Sequence, residues 1–266
     1  MTSANILVER IEEGIDVLTL NRPERLNAMT MELVEDMINA LEVIGKDRTS
    51  RVVIVTGAGR GFCAGLDLIE NLGDQDDVGG RVQSGLRTQK TIARLMTTLR
   101  EIPQPVIAAV NGPAAGGGLA IALASDVRVA SPLGAFSVAF VRIGLSGCDV
   151  GVSWLLPRLI GASRANDMML TGRVITAQEA SSFGLVSEVA EDVLEAALKY
   201  ARLIKANSPF GVWMTKEVSW SNLESPSLHA AIDLENRTQI LATMTNDMRE
   251  AVSAWREKRS PVFKDQ

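Results

Sequence analysis

Residues 105–124 read Pro105-Val-Ile-Ala-Ala-Val-Asn-Gly-Pro-Ala-Ala-Gly-Gly-Gly-Leu-Ala-Ile-Ala-Leu-Ala124. The run from Pro105 to Val110 is strand-like, the run from Leu119 to Ala124 is helix-like, and a glycine-rich turn joins them. Three glycines remove every side chain from a helix N-terminus, where free backbone N–H groups point outward and the macrodipole favours negative charge. Something anionic, lasting or transient, fits against Gly116, Gly117 or Gly118.

The neighbouring stretches repeat the theme. Arg51-Val-Val-Ile-Val-Thr56 is a buried strand by its β-branched run, and it leads into a second glycine-rich loop, Gly57-Ala-Gly-Arg-Gly-Phe-Cys-Ala-Gly-Leu-Asp67. Before it, Ile6 to Glu13 and Gly14 to Leu20 read as a hairpin that opens a sheet. Thr30 can cap a helix whose apolar positions Met31, Val34, Met37, Ile38, Leu41 and Ile44 follow the helical period, with Gly45 as its stop. After it comes an acidic segment, Gly73-Asp-Gln-Asp-Asp-Val-Gly-Gly80, read as a loop able to cover a substrate, and then a helix over about 82–101. Asp126 to Ala130 is another strand, and Gly134 to Val138 a short extended piece. Beyond Gly151 the pattern changes to helices over 152–159, 162–170 and 176–183, a strand over 185–189, and long helices to the C-terminus. Alternating strands and helices predict an α/β fold. Residues 1–189 are expected to form the core with the site, and 190–266 a helical region serving as lid and in oligomerisation.

Composition narrows the function. The chain has 266 residues, 46% apolar and 22% charged, with a formal net charge of −5; no basic face suggests nucleic acid as a partner. Cys63 and Cys148 are the only cysteines, too few for a disulfide scaffold or a cysteine zinc site, so no metal is expected. No apolar run reaches the roughly 18 to 20 residues a membrane span needs, and no secretory signal is visible at Met1-Thr-Ser-Ala-Asn5, so a cytoplasmic protein is expected.

Several chemistries fail on detail. A dinucleotide fingerprint beginning at Gly57 would need glycine at position 62, where Phe62 stands, and no Gly-Lys-Ser/Thr follows either glycine cluster. His229 is the only histidine, remote in sequence from both cysteines, so a catalytic triad lacks its parts. What survives is a pair of backbone donors. If the Cys63-Ala64-Gly65 loop and the Gly116–Gly118 turn end on neighbouring strands, one N–H from each can converge on a single oxygen. Each cluster alone also fits a tight turn that needs positive φ.

The residues resemble the enoyl-CoA hydratase/isomerase, or crotonase, superfamily essentially end to end. The matching blocks are Asn21-Arg-Pro-Glu-Arg-Leu-Asn-Ala28, Gly61-Phe-Cys-Ala-Gly-Leu-Asp-Leu68, residues 105–118, Leu156-Pro-Arg158 and Pro261-Val-Phe263. The resemblance implies an α/β spiral of ββα turns followed by a C-terminal helical trimerisation region, a homotrimer or dimer of trimers, and an acyl-CoA thioester as substrate. Coenzyme A then enters as part of that substrate, with no separate cofactor. By resemblance, Ala64 and Gly117 supply the oxyanion-hole amides. Arg25, Ala28 and the Leu66-Asp67-Leu68 segment contact CoA, and Phe263 and Lys264 reach a neighbour's CoA nucleotide.

The departures are as informative. Hydratases of this family carry two glutamates, at positions held here by Ala120 and Phe140, so hydration is expected to be slow or absent and both residues are expected to line the acyl pocket. Asp149 stands where isomerases of the phenylacetate pathway, dienoyl-CoA isomerases and chlorobenzoyl-CoA dehalogenases carry a functional aspartate. Its spacing from Gly144 is one residue longer than in those relatives. Two roles stand open for it: cap of the following helix, or proton shuttle. The resulting expectation is an isomerase-type enzyme that stabilises a thioester enolate. The alternative is a non-catalytic acyl-CoA binding protein, with dehalogenation a third reading.

Overall fold

The computed structural model describes residues 3–71 and 81–265. In chain order the elements are β1 (Ile6–Glu12), β2 (Ile15–Leu20), α1 (Met31–Lys46), β3 (Val52–Gly57), α2 (Leu68–Asn71), α3 (Arg81–Glu101), β4 (Val106–Val110), β5 (Pro113–Ala115), α4 (Gly117–Ala124), β6 (Val127–Ala130) and β7 (Ala135–Ser137). There follow α5 (Val152–Ile160), α6 (Ala162–Thr171), β8 (Val174–Thr176), α7 (Ala177–Phe183), β9 (Glu188–Val189), α8 (Val193–Lys205), α9 (Pro209–Asn222), α10 (Leu228–Thr243) and α11 (Asn246–Glu257). Among the described residues the strands form a six-stranded sheet ordered β1-β2-β3-β4-β6-β9 and a three-stranded sheet ordered β5-β7-β8.

The opening hairpin is antiparallel, and every later pairing in the large sheet is parallel. Parallel strands are buried on both faces, which explains their nearly unbroken apolar runs. Alternate residues serve opposite layers. Leu18, Val53, Val55, Ala108 and Val110 join the core beneath α1, α3 and α4, while Val17, Val52, Ile54, Ile107 and Val129 pack against Ala197, Leu198 and Ala201 of α8. Helix α8 therefore closes the second face of the sheet, although it lies beyond residue 189; the helices that extend past the sheet begin at α9.

Local chemistry accounts for most boundaries. Thr30 caps α1, its hydroxyl accepting from the Leu33 amide at 3.1 Å, and the buried stripe includes Val34, Met37, Ile38, Leu41 and Ile44. The helix passes through Gly45 to Lys46, since one glycine costs about 1 kcal/mol without ending a helix. The three-residue strands β5 and β8 escape the sequence pattern because they are shorter than one legible period. The expected strand over 185–189 shrinks to Glu188–Val189. The acidic segment 73–80 lies outside the described residues.

The small sheet makes the spiral. After β4 the chain leaves the large sheet and enters β5, and after β6 it enters β7, so that Ala114 pairs with Phe136 and Phe136 with Ile175. An isolated bridge from Cys63 to Ala114 extends this ladder, and a second one pairs Leu66 of the same loop with Met29. The second glycine loop and the opening triple glycine are thereby brought side by side.

Candidate active site

Asparagines hold the loop that follows β3. Asn27, fully buried, donates to the carbonyls of Ala58 and Gly61 and accepts from the Arg22 amide. Asn111 donates to the Gly57 and Gly59 carbonyls. These clamps were not singled out in the sequence, because an asparagine beside a glycine also fits an ordinary turn.

Hydrogen-bond accounting then separates the amides. Cys63 N–H donates to the Pro113 carbonyl at 3.0 Å, Ala64 N–H to the Leu26 carbonyl at 3.0 Å, and Asp67 N–H to the Met29 carbonyl at 2.9 Å, while the Gly65 carbonyl accepts from Met29 N–H at 2.7 Å. The amide expected at Ala64 is thus engaged within the fold. In this loop the Leu66 amide, turned away from the Met29 bridge, has no acceptor among the described residues.

Across from it, Gly116 is the N-cap of α4, with φ +52° and no side-chain cap bond. Its own amide donates to the Ser137 carbonyl, and its carbonyl accepts from Ala120 N–H. Gly117, the first helical residue, is left with an N–H that has no intrahelical partner. The two loops touch: a Cβ on Gly65 would stand 2.8 Å from the Ala115 carbonyl oxygen and 3.4 Å from the Gly117 nitrogen. Two unengaged amides, Leu66 and Gly117, therefore sit on loops in direct contact at the positive end of a helix.

Around them, Ala120 is fully buried in α4 and Phe140 almost so. The Phe140 ring lies 3.3 Å from where a Cβ on Gly116 would be. The loop that starts at Phe140 is tightened by the bond from Leu145 N–H to the Phe140 carbonyl at 3.0 Å and leads to Asp149. There the N-cap of α5 is Gly151, with no side-chain cap bond. The Asp149 carboxylate accepts instead from the Val150 amide at 2.8 Å and from the Gln89 side-chain amide of α3, both at Oδ1. Val150 has φ +38°, a conformation a β-branched residue adopts only under strain, and such strain gathers at functional sites.

Over residues 10–266 the chain matches the family model described as enoyl-CoA hydratase/isomerase. The chain belongs to the enoyl-CoA hydratase/isomerase family. It is 42% identical to a Mycobacterium tuberculosis protein called probable enoyl-CoA hydratase EchA12, over 99% of this chain and 94% of that one. It is 38% identical to the 1,2-epoxyphenylacetyl-CoA isomerase of Escherichia coli (strain K12), over 97% of each. A crystal structure of a probable enoyl-CoA hydratase/isomerase from Mycobacterium abscessus superposes with a TM-score of 0.89 at 41% identity, covering 98% of this chain and 99% of that one.

The remaining expected positions of this family member fall into three groups. Arg25, Ala64 and Leu68 are exposed and Ala28 is partly so, on segments that the Ala64 to Leu26 bond joins, whereas the Asp67 side chain is buried. Asp67 accepts from Arg22 at 3.1 Å and from the Ile69 and Glu70 amides, so it braces the loop. Phe263 and Lys264 sit elsewhere. The Lys264 amide bonds Asp247, and the adjoining Asp265 pairs with Arg48, near Arg51 before β3 and thus at the opposite end of the strand from the Gly57 loop. Within one protomer they do not meet Arg25 or Ala28. Clefts of about 390 and 490 Å³ lie instead between the core and α9, at Gln104 and Trp213 and at Arg100 and Trp220; neither touches the amide pair. The Cys63 thiol is fully buried and pushed up to about 12 by that burial, which makes it inert at neutral pH.

Proposed function

We propose that the protein acts on an acyl-CoA thioester by proton transfer, moving a double bond in an enoyl chain. The Leu66 and Gly117 amides receive the thioester oxygen as negative charge develops on it. Asp149 takes a proton from a carbon of the acyl chain to give the enolate and returns it to another carbon, so that protons and electrons balance without a co-reactant. Ala120 and Phe140 offer no carboxylate to activate water, which supports isomerisation over hydration. The observation that carries the reading is the state of Asp149: Gly151 holds the cap position of α5, and the carboxylate is turned toward α3. Coenzyme A lies along Arg25, Ala28 and residues 66–68 in this reading. The protein works in the cytoplasm as a homotrimer or dimer of trimers in which Phe263 and Lys264 reach a neighbour's nucleotide.

Purified protein assayed with 2-enoyl-CoA and 3-enoyl-CoA substrates tests this. Interconversion of the two, lost in Asp149→Asn, is the expected result; brisk hydration of the 2-enoyl substrate, indifferent to Asp149→Asn, would overturn it. The apolar Ala120 and Phe140 also suit a second reading, a non-catalytic acyl-CoA binder. Calorimetric binding without α-proton exchange in heavy water would favour that reading.

A further inference from the structure

Helix α3 is anchored by Ile92, Leu95, Met96 and Leu99, all in the main core. Gln89 stands just before that stripe begins and is itself exposed, so packing does not account for its side-chain position. Its amide nitrogen donates to Oδ1 of Asp149, the same oxygen that accepts from the Val150 amide. A carboxylate oxygen holding two donors has little capacity left, while Oδ2 makes no hydrogen bond among the described residues. The two donors come from different elements, one from the strained backbone at Val150 and one from α3, and together they fix both the torsion of the carboxylate and the oxygen it presents. A neutral amide suits this task. It donates without neutralising the carboxylate, as a lysine or arginine would by ion pairing, and without repelling it, as a glutamate would.

We propose that Gln89 is the positioning residue of Asp149, pinning Oδ1 so that Oδ2 is the oxygen offered to the substrate proton. The inference rests on the proton-transfer reading of Asp149. A carboxylate free to rotate spends most of its time misdirected.

The test uses Gln89→Met, similar in length but without a donor, and Gln89→Glu, similar in shape but charged, with α-proton exchange of acyl-CoA in heavy water and the crystal structure of each variant. The expected results are kcat for exchange lower by about tenfold in Gln89→Met, a larger loss in Gln89→Glu, KM and calorimetric acyl-CoA affinity within about twofold of the parent, since α3 makes no uniform binding contribution through this bond, and a turned Asp149 carboxylate in both variants. A parental kcat in Gln89→Met, or a fall explained wholly by KM, overturns the proposal. If the parent protein itself shows no exchange, the proton-transfer reading fails separately, and an Asp149 carboxylate unmoved in the Gln89→Met crystal structure overturns the positioning role as well.

Discussion

A methyl group on Gly118 would stand 2.1 Å from the Cys63 carbonyl oxygen, and one on Gly117 would stand 2.2 Å from the terminal carbon of Met29. These look alike in sequence and differ in consequence. The Cys63 carbonyl also accepts from the Ala115 amide and cannot move without breaking the ladder, so Gly118→Ala is expected to destabilise by about 3 kcal/mol or more, read from urea unfolding. The end of Met29 is flexible. Gly117→Ala is therefore expected to fold, yet to shift the amide and lower exchange or isomerisation by roughly a hundredfold. A Gly117→Ala variant with parental activity would remove that amide from the proposed site. Asp149→Asn, similar in shape and unable to take the proton, is expected to lose about 10² to 10⁴ in rate with acyl-CoA binding retained. The glycines and Asp149 were legible in the sequence as candidates. That the Ala64 amide is engaged while the Leu66 amide has no acceptor among the described residues was not, because it depends on which carbonyl each amide meets.

Two charged clusters brace the fold, one at the loop after β3 and one at the far end of the sheet. Burial alone would raise the Asp67 carboxyl, but donors from the Glu70 and Ile69 amides and from Arg22 outweigh it and leave the group below the usual carboxylate range. A carboxyl lowered on folding stabilises fully above its unfolded value, about 3.9 for Asp, and that contribution fades as pH falls through the lower folded value. Urea midpoints should therefore drop between pH 5 and pH 3, roughly spanning that unfolded value, by more in the parent than in Asp67→Asn; parallel pH profiles would refute the bracing role. At the far end of the sheet, Lys216 of α9 is buried and donates to the Leu99 and Gln104 carbonyls at 2.9 Å while pairing with Asp126 at 3.1 Å. Burial pushes its ammonium below the ordinary lysine range despite the nearby carboxylate. Asp126 also accepts from the Val106 amide and the Trp220 indole, so this cluster fastens α9 to the strand starts. Removing one partner of such a pair leaves the other uncompensated. Lys216→Met should cost about 3 kcal/mol and lower Tm by roughly 6 to 12 °C, measured by thermal denaturation.

For the molecule as a whole, α10 buries none of its residues, and Leu228, Met244 and Trp255 are each more than 70% exposed. Apolar side chains exposed on these helices suit the contact that the proposed homotrimer or dimer of trimers would need. Trp255→Glu is expected to lower the mass seen by light scattering; an unchanged mass would place Trp255 outside the contact. The sequence by itself determined the α/β class, nearly all the helices and long strands, the two glycine loops, the family resemblance and the absence of carboxylates at Ala120 and Phe140. Those readings depend on identity and on periods of two and of 3.6 residues, which are properties of neighbours in the chain. Tertiary structure alone decided that α8 closes the sheet, that Asp67 turns inward, that Gln89 meets Asp149, and that the Leu66 amide has no acceptor among the described residues where Ala64 is spent on Leu26. Each of these depends on pairings between segments far apart in sequence, and a hydrogen bond made or left unmade across such a distance has no local signature.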